Sequence, residues 1–229
     1  LRDVQRMVNN ERNIFGPLLV EMGEADAFVS GTTRHFHQVM AQVRLVIDPK
    51  PGHTPFGIHI LSGRSGTIMI ADTTVTERPT GPQLADIAIQ TASAARRLGL
   101  EPRVAFLSFS NFGNPPGSYL AGLQEAVAIL DSSGVDFEYE GEISVDVALN
   151  RRLVDIYPFN RLTGPANVLV MPGLQSANIA SKLLKEMGGG RVIGPILMNM
   201  SRAVQIASMT SGASDLETLA VLAASGIAG

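Results

Sequence analysis

One acid near the end of the chain has a spacing that allows two different roles. Glu217 lies three residues after Ser214 in the segment "MTSGASDLETLAVLAA" (209–224). This S-x-x-E spacing is typical of a capping box, in which the acid accepts a backbone N–H at the start of a helix. A carboxylate in a reaction site would instead accept a proton from a reacting group. The role of Glu217 therefore decides between an enzyme and a binding module.

A polar loop is the second candidate for ligand chemistry. The segment "SFSNFGNPPGS" (108–118) follows a predicted strand and precedes a predicted helix. Open α/β sheets bind ligands at the carboxyl ends of their strands, and helix N-termini offer N–H groups to phosphate or carboxylate. Ser108, Ser110 and Asn111 are therefore candidate ligand contacts. The alternative is a capped turn in which Ser118 satisfies the helix start.

The only closely spaced histidines lie in "RHFH" (34–37). An H-x-H pair shares one face of a strand but not of a helix, and no nearby cysteine or acid completes a metal set. Anion contacts from Arg34, His35 and His37 are more plausible than a metal site, because the start of a helix favours negative charge. No metal ligand is predicted anywhere in the chain.

Two other patterns have simple explanations. The glycines of "GGG" (188–190) lie between a helix and a strand, where glycine ends the helix, whereas a phosphate loop runs from strand to helix. The segment "EYEGEISVD" (138–146) holds four carboxylates at a strand-to-helix turn. These carboxylates either take part in acid–base chemistry or lie in the first turn of a helix, where the helix dipole favours negative charge. The second interpretation is favoured.

Composition excludes several classes of function. The chain has 229 residues, a formal net charge of −3 and no cysteine. Without a block of basic residues, neither nucleic acid nor a membrane is an expected partner. The absence of cysteine excludes disulfides and thiolate metal sites and fits a cytoplasmic location. The chain begins at Leu1 inside a helix-like segment, so we interpret it as a fragment of a longer protein.

The apolar pattern predicts an α/β fold. Short β-branched runs alternate with longer amphipathic stretches, as in layered structures over a mostly parallel sheet. "FGIHILS" and "TIMIAD" flank "GRSG" (63–66) and predict a hairpin. The predicted strands are 25–31, 103–110, 136–141 and 167–173, with "RVIGPIL" and "AVQIAS" as the last two; the predicted helices are 35–47, 80–100, 118–133, 143–156, 175–187 and a final one.

Five blocks in register resemble the phosphate acetyl/butyryl transferase family. They are "RVAFLSFSNFG", "YEGEISVDVAL", "NVLVMPGLQSANIASKLL", "GPILMNMSRAV" and "GASDLETLAVLAA". Further details, such as "HFHQVMAQVRLVIDPKPGHTPFG", resemble the C-terminal transferase-like domain of large bacterial NADP-dependent malic enzymes. That branch implies a fragment without the malic half, and without the first quarter to third of the transferase-like domain.

The resemblance also implies an architecture and partners. It implies two α/β lobes with a cleft between them, like isocitrate and isopropylmalate dehydrogenases, with one lobe of 1–47 plus 198–229 and the other of 48–197. It implies a homodimer or larger homo-oligomer and a ligand that is acetyl-CoA or a related acyl-CoA. No cofactor is expected in this domain; NADP and a divalent metal are expected only in the malic half.

The residues that the family uses for transfer are only partly retained. By resemblance, the family's Ser-Arg pair corresponds to Thr210 and Ser211, and its proton-accepting aspartate to Glu217. Ser30 and Arg202 match further ligand-binding positions, whereas a family arginine in the helix after Ser30 is replaced by alanine. Losing one positioned oxyanion donor costs about 10²–10³ in rate, and serine cannot replace an arginine that forks a phosphate.

We therefore expect an enzyme-derived module that binds acetyl-CoA as an allosteric regulator without transferring its acetyl group, with Glu217 serving as a helix cap. The alternative is an active phosphate acetyltransferase that converts acetyl-CoA and phosphate into acetyl phosphate and CoA. A purely structural dimerisation domain is a third possibility, against which the polar loop at 108–118 counts.

Overall fold

The computed structural model describes residues 2–63, 66–154, 156–187 and 190–226. The chain forms two compact units, one of Leu1–Gly57 with Ile193–Gly229 and one of Ile58–Val192. The sequence predicts bounds of 1–47 plus 198–229 and of 48–197. In the structure, the chain crosses from one unit to the other at two places. Each crossing lies within a strand, the first in Phe56–Gly63 and the second in Arg191–Met198.

Helices and strands alternate along most of the described chain, as the apolar pattern predicts for an α/β protein. In chain order the elements are α1 (Arg2–Asn10), α2 (Arg12–Glu21), β1 (Phe28–Gly31), α3 (Phe36–Val43), β2 (Phe56–Gly63), β3 (Gly66–Ala71), α4 (Gly81–Arg97), β4 (Arg103–Leu107), a 3-10 turn (Ser118–Leu120), α5 (Ala121–Ser133), β5 (Glu138–Ile143), α6 (Val145–Leu149), α7 (Arg151–Val154), β6 (Val168–Val170), α8 (Leu174–Met187), β7 (Arg191–Met198), β8 (Val204–Ala207) and α9 (Ala213–Ala224).

The smaller unit is built on a parallel pair of strands. β1 and β8 pair from Phe28 opposite Val204 to Gly31 opposite Ala207. Gly31 has φ +131°, and a Cβ there would lie 2.3 Å from the Ala207 carbonyl oxygen, so only glycine allows this close approach. Helices α2, α3 and α9 pack beside the strands and bury their apolar faces.

The larger unit contains most of a mixed sheet with the strand order β5-β4-β6-β3-β2-β7. β3 pairs parallel with β6, and β4 pairs parallel with both β5 and β6. β2 and β3 pair antiparallel up to Gly63 opposite Gly66, which confirms the hairpin predicted from "GRSG"; residues 64 and 65 lie outside the described part. Fold class is thus α/β with mixed sheets.

The two faces of this sheet are covered differently. One face carries a cluster of buried residues from β3, β4 and β6 together with Val147 of α6 and Ala177 of α8. Alternate strand residues point to the opposite face. Helices α4 and α5 pack against each other, α4 also packs on β3, β4 and β6, and none of their described residues belongs to that cluster. They therefore cover the opposite face.

The helix predicted over 143–156 is wrong in its extent. β5 continues to Ile143, and two short helices follow, α6 and α7. Between them Asn150 is extended, with φ −112° and ψ +106°, and its Oδ1 accepts the N–H of Arg152 at 3.1 Å. Asparagine interrupts the helix because its side chain offers the backbone a local partner. Of the glycine run at 188–190, residues 188 and 189 lie outside the described part of the chain.

Candidate functional site

A cavity of about 700 Å³ opens in the larger unit where β4 and β6 end. The last residue of β4, Leu107, and the following Ser108 and Phe109 contribute to its wall, and the segment after β6 contributes residues 171–173. This is the edge of an open α/β sheet at which ligands bind in such folds. Its remaining lining comes from the segment before α4, the start of α5, and the first residues of α6 and α8: Glu77, Arg78, Pro79, Tyr119, Gly122, Leu123, Val145, Gln175 and Ser176.

The walls of the cavity combine an apolar floor with a few polar groups at its mouth. Leu107 and Leu123 are buried, whereas Phe109 and Tyr119 expose 59% and 81% of their surfaces. Arg78 supplies a positive charge and has no hydrogen bond or ion pair with the described residues. A concave, mainly apolar wall with few polar groups is the usual composition of a small-molecule site, for which 300–1,000 Å³ is typical.

Glu142 holds the loop that forms one wall of the cavity. Its carboxylate is buried and accepts the Ser110 hydroxyl at 3.1 Å and the Gly113 N–H, while its carbonyl accepts the Phe112 N–H at 2.9 Å. Sequence reasoning missed this role. The available signal was the recurrence of acids at every second position of β5, at Glu138, Glu140 and Glu142.

Of the three candidate residues on this loop, only Ser108 lines the cavity. Ser110 is fully buried against Glu142, and Asn111 Oδ1 accepts the Ser144 N–H at 2.8 Å and the Ser144 hydroxyl at 3.0 Å. In this structure both residues position the loop. The helix start at Ser118 is not capped by that side chain, because the preceding Gly117 is the N-cap and no side chain bonds there.

The four acids of 138–146 do not act together. Glu140 is buried, and its carboxylate accepts Nη2 of Arg161 at 3.0 Å. Glu138 accepts the Thr163 hydroxyl at 2.7 Å. Asp146 alone lies in the first turn of a helix, where the helix dipole favours its negative charge. The favoured dipole interpretation therefore applies to Asp146 only.

In the smaller unit, two predicted site residues belong to one polar network. Ser30 donates to Asn13 Oδ1 at 2.7 Å, and Asn13 donates to Gln42 Oε1 at 2.8 Å. Arg34 donates to Gln42 at 3.1 Å and forms an ion pair with Glu11 at 2.7 Å. Hydrogen bonds from Arg34 and Gln42 lower the pKa of Glu11. The Arg34 charge is thus already paired within the chain.

The other predicted anion contacts are His35 and Arg202. His35 precedes α3 as its N-cap without a side-chain cap bond, and its ring stacks on that of His37 at 5.8 Å. Arg202 forks onto Glu21, with Nε 3.1 Å from Oε2, and this pairing raises the pKa of the guanidinium. Both retained arginines therefore face a carboxylate of their own chain, although solvent-exposed pairs of this kind are weak and exchange readily.

The predicted Ser214–Glu217 capping box is wrong. Helix α9 begins at Ala213, so Gly212 is the N-cap, and its N–H donates to Asp215 Oδ2 at 2.9 Å. Ser214 lies inside the helix, where its carbonyl accepts the Thr218 hydroxyl at 2.7 Å. Glu217 is exposed in the second turn, and its carboxylate makes no hydrogen bond or ion pair with the described residues.

Ser208 organises the turn that carries the other two candidates. Its hydroxyl lies 3.0 Å from Thr210 Oγ1 and accepts the Thr210 N–H at 3.2 Å, while its carbonyl accepts the Ser211 N–H at 3.1 Å. Sequence reasoning missed Ser208. The turn carries the hydroxyls of Ser208, Thr210 and Ser211 before α9, and no arginine stands in it.

Within the described ranges no group of three or more histidine, aspartate or glutamate side chains is placed to hold a metal ion. No helix in the described part of the chain is long and apolar enough to cross a membrane.

The α/β fold and the five sequence blocks identify the class of protein. The model of the Phosphate acetyl/butaryl transferase family matches residues 1–224, so the chain belongs to that family. Over 97% of its length it is 51% identical to an NADP-dependent malic enzyme of Rhizobium meliloti. It spans only 29% of that relative.

Phosphotransacetylases are similar over much of their own length. A phosphate acetyltransferase of Clostridium acetobutylicum is 32% identical over 88% of this chain and 63% of its own. The crystal structure of a phosphotransacetylase from Streptococcus pyogenes superposes with a TM-score of 0.92 at 32% identity, covering 99% of this chain and 70% of that one.

Proposed function

We propose that this chain is the transferase-like domain of an NADP-dependent malic enzyme and that it binds acetyl-CoA as an allosteric regulator. The whole protein would convert malate into pyruvate and CO₂, with NADP and a divalent metal held outside this chain. The identity of 51% with a malic enzyme over nearly the whole chain supports the first part of the proposal.

One observation carries the non-catalytic part: each arginine retained at a predicted ligand position is paired with a carboxylate of its own chain. Arg34 is paired with Glu11, and Arg202 with Glu21. A phosphate that reacts as a nucleophile needs positive groups fixed around it, and bidentate arginine is the group best suited to this. Here the turn before α9 holds hydroxyls and no arginine, and Arg34 and Arg202 each already face a carboxylate of the same chain.

Binding of an acyl-CoA makes smaller demands than its transfer. The cavity in the larger unit supplies an apolar wall for a pantetheine chain and exposed rings of Phe109 and Tyr119 on which an adenine can stack. Arg78, at the same mouth, supplies a positive charge for a phosphate group. None of these contacts requires a base, so a chain that has lost catalysis can keep its ligand.

The expected loss of catalysis is large. Removing one positioned donor costs about 10²–10³ in rate, and moving a base by about 1 Å costs on the order of 10²-fold. Replacement of arginine by Ser211, and of aspartate by Glu217, combines both effects. We therefore expect transfer to be slower by about 10⁴ or more than with a complete set of groups.

Regulation requires that the two ligands influence one another reciprocally. If acetyl-CoA changes the affinity of the malic site, malate and NADP must change the affinity for acetyl-CoA by the same factor. Self-association as a homodimer or larger homo-oligomer is part of the proposal, because subunit contacts are the route by which such coupling reaches another domain. The dehydrogenase-like two-lobed arrangement and a cytoplasmic location also remain proposals.

The alternative is an active phosphate acetyltransferase, and one observation favours it. Glu217 is not engaged as a helix cap, so its exposed carboxylate is available to accept the proton of a CoA thiol. This availability does not replace the missing arginine, and we therefore favour the regulatory proposal.

Calorimetric titration of acetyl-CoA into the 229-residue chain tests the binding proposal. We expect a saturating isotherm that is weakened several-fold by Arg78→Gln, which removes the unpaired charge at the cavity mouth. Arg151→Gln is the matched control, because Arg151 is exposed on α7 and does not line the cavity. No binding, or equal weakening by both variants, would contradict the proposed site.

A further inference from the structure

The mouth of the cavity in the larger unit carries polar and aromatic side chains that have no partner within the described part of the chain. Glu77, Arg78 and Gln175 line the cavity and are exposed, and their side chains make no hydrogen bond or ion pair there. Phe109 and Tyr119 contact no other aromatic ring of the described residues. These five side chains, which we name the mouth cluster, can all bind a ligand without first giving up a contact.

Hydrogen bonds of the backbone join the two segments that carry Glu77 and Gln175. The Glu77 carbonyl accepts the Leu174 N–H at 3.2 Å. The segment that leads to Glu77 is itself held, because the Asp72 carboxylate accepts the backbone N–H groups of residues 74–76 at 2.6–3.1 Å. The acid and the amide of the mouth cluster are therefore positioned by the fold before a ligand binds.

The two rings of the mouth cluster are placed by the loop before α5. A Cβ at position 117 would lie 2.7 Å from Cζ of Phe109, so the Phe109 ring lies directly on the Gly117 backbone. Gly117 has φ −164°, which any residue adopts, so the ring and not the backbone conformation requires glycine here. Tyr119 follows two residues later and exposes 81% of its surface. Exposed rings of this kind are platforms on which nucleobases stack.

The amide of Gln175 suits the edge of an adenine. A glutamine side chain donates to N7 of adenine and accepts from its N6 amino group, whereas guanine presents acceptors at both places. The pantetheine and thioester end of an acyl-CoA has no flat face for the rings and no charge for the arginine. The mouth cluster therefore suits the nucleotide end of such a ligand better than its acyl end.

The adjacent side chains of Glu77 and Arg78 suit a ribose with one particular phosphate. The ribose of CoA has a free 2′-hydroxyl and carries its phosphate on the neighbouring 3′ oxygen. A carboxylate accepts a ribose 2′-hydroxyl in dinucleotide sites, and arginine forks onto phosphate. NADP carries its ribose phosphate at the 2′ position, where the Glu77 carboxylate would face a like charge. The pair can therefore distinguish CoA from NADP.

We propose that this cavity is a site for 3′-phosphoadenosine nucleotides and holds the nucleotide end of CoA, an assignment that rests on the proposed function as an acyl-CoA-binding module. The adenine stacks on Phe109 and Tyr119 with its edge on Gln175, and the ribose lies at Glu77 and Arg78. The thioester end then lies outside the cavity, so free CoA and acetyl-CoA bind with the same affinity. Selection against a 2′-phosphate keeps NADP out of the regulatory site.

Calorimetric titration of the 229-residue chain with two isomeric nucleotides tests this site. We expect adenosine 3′,5′-bisphosphate to bind about tenfold more tightly than adenosine 2′,5′-bisphosphate, the difference of one charged contact. The 3′,5′ isomer should also displace acetyl-CoA. NADP should bind as weakly as the 2′,5′ isomer, and CoA as tightly as acetyl-CoA.

Glu77→Gln tests the origin of the selectivity. The amide oxygen can still accept a 2′-hydroxyl, but the side chain no longer repels a 2′-phosphate. The preference for the 3′,5′ isomer should therefore fall several-fold, mainly through tighter binding of the 2′,5′ isomer. Glu24→Gln is the matched control, because Glu24 is an exposed acid of the smaller unit and does not line the cavity. It should keep the full preference.

The outcomes separate this site from the proposed function. Equal affinities for the two isomers, a preference that Glu77→Gln leaves unchanged, or bound acetyl-CoA that the 3′,5′ isomer does not displace would each overturn the site, while acetyl-CoA binding would stand. Binding of the 3′,5′ isomer without binding of acetyl-CoA would contradict the proposed function and leave the nucleotide site in place. If neither ligand binds, both are wrong.

Discussion

The backbone N–H of Gly212 donates to Asp215 Oδ2 at 2.9 Å, so Asp215 is the acid that caps the start of the last helix. Glu217, two residues further on, is left without that role. The carboxylate of Glu217, which the resemblance predicts at the family's base position, therefore does not cap the helix start.

Asp215→Ala should lower the free energy of unfolding by about 0.5–1 kcal/mol, because the Gly212 N–H loses its acceptor and the first turn loses a negative charge. Glu217→Ala, made as the matched control, should change it by less than about 0.5 kcal/mol, as is usual for surface positions. Urea unfolding measures both. A larger loss for Glu217→Ala would show that the solution structure is capped differently.

Glu142→Met should destabilise the larger unit and weaken acetyl-CoA binding together. The substitution leaves the buried Ser110 hydroxyl and the Gly113 N–H without an acceptor, and each such group costs about 1–3 kcal/mol. The loop that carries Ser108 and Phe109 then loses its position beside the cavity. Denaturant unfolding and calorimetry measure the two effects.

Glu142→Gln is the control for that substitution, since the amide oxygen can still accept both hydrogen bonds. It should retain more of the stability and of the acetyl-CoA affinity than Glu142→Met. Equal losses in the two variants would indicate that the negative charge, rather than the acceptor, holds the loop.

Arg161→Met should cost about 2 kcal/mol of stability. It leaves the buried Glu140 carboxylate without its cation and removes the guanidinium stacked 4.4 Å from the Tyr139 ring centroid. Breaking a fully buried pair costs about 3–5 kcal/mol, and the value here is lower because the Arg161 side chain is 39% exposed. The double variant Glu140→Gln with Arg161→Met should recover part of the loss; no recovery would rule out the unpaired carboxylate as the cause.

His59 should make stability depend on pH in the acid range. Burial, with a smaller contribution from Lys185 and Lys182, lowers the pKa of His59 from 6.5 to about 4. The unfolded chain therefore binds a proton at a higher pH than the folded chain does. The free energy of unfolding therefore has its full value, as far as His59 is concerned, above about pH 6.5. It falls as the pH falls towards 4, by at most about 3 kcal/mol.

Asparagine at position 59 can keep the bond to Thr73 Oγ1, which His59 Nδ1 makes at 2.8 Å, but it cannot be protonated in this range. His59→Asn should flatten the dependence of unfolding free energy on pH between 6.5 and 4. The natural sequence, unfolded at the same series of pH values, provides the reference profile. A profile unaffected by His59→Asn would place the pH dependence elsewhere.

The local sequence pattern predicts the order of the helices and strands. It does not predict which residues the polar side chains bind through hydrogen bonds and ion pairs. The hairpin at 63–66 and the helix from Gly81 follow from apolar periodicity and turn residues, which are encoded within a few positions. The ion pair of Arg34 joins residues 23 positions apart, and the bond of Ser110 to Glu142 joins residues 32 apart. Such pairs are set by how the elements pack.

The capping error has a different physical cause. The sequence around the last helix offers two acids, Asp215 and Glu217, each three residues after a small residue that can begin a helix. Spacing alone cannot choose between them. The turn organised by Ser208 ends at Gly212, which starts the helix two residues earlier than the Ser214 spacing implies.

The most direct test is to measure acetyl phosphate formation by the 229-residue chain supplied with saturating acetyl-CoA and phosphate. We predict bound acetyl-CoA and no more than a few acetyl phosphates per chain per hour, as expected when a typical kcat of about 10 s⁻¹ falls by about 10⁴ or more. Sustained formation of many acetyl phosphates per chain, abolished by Glu217→Gln, would contradict it and would establish Glu217 as a catalytic base.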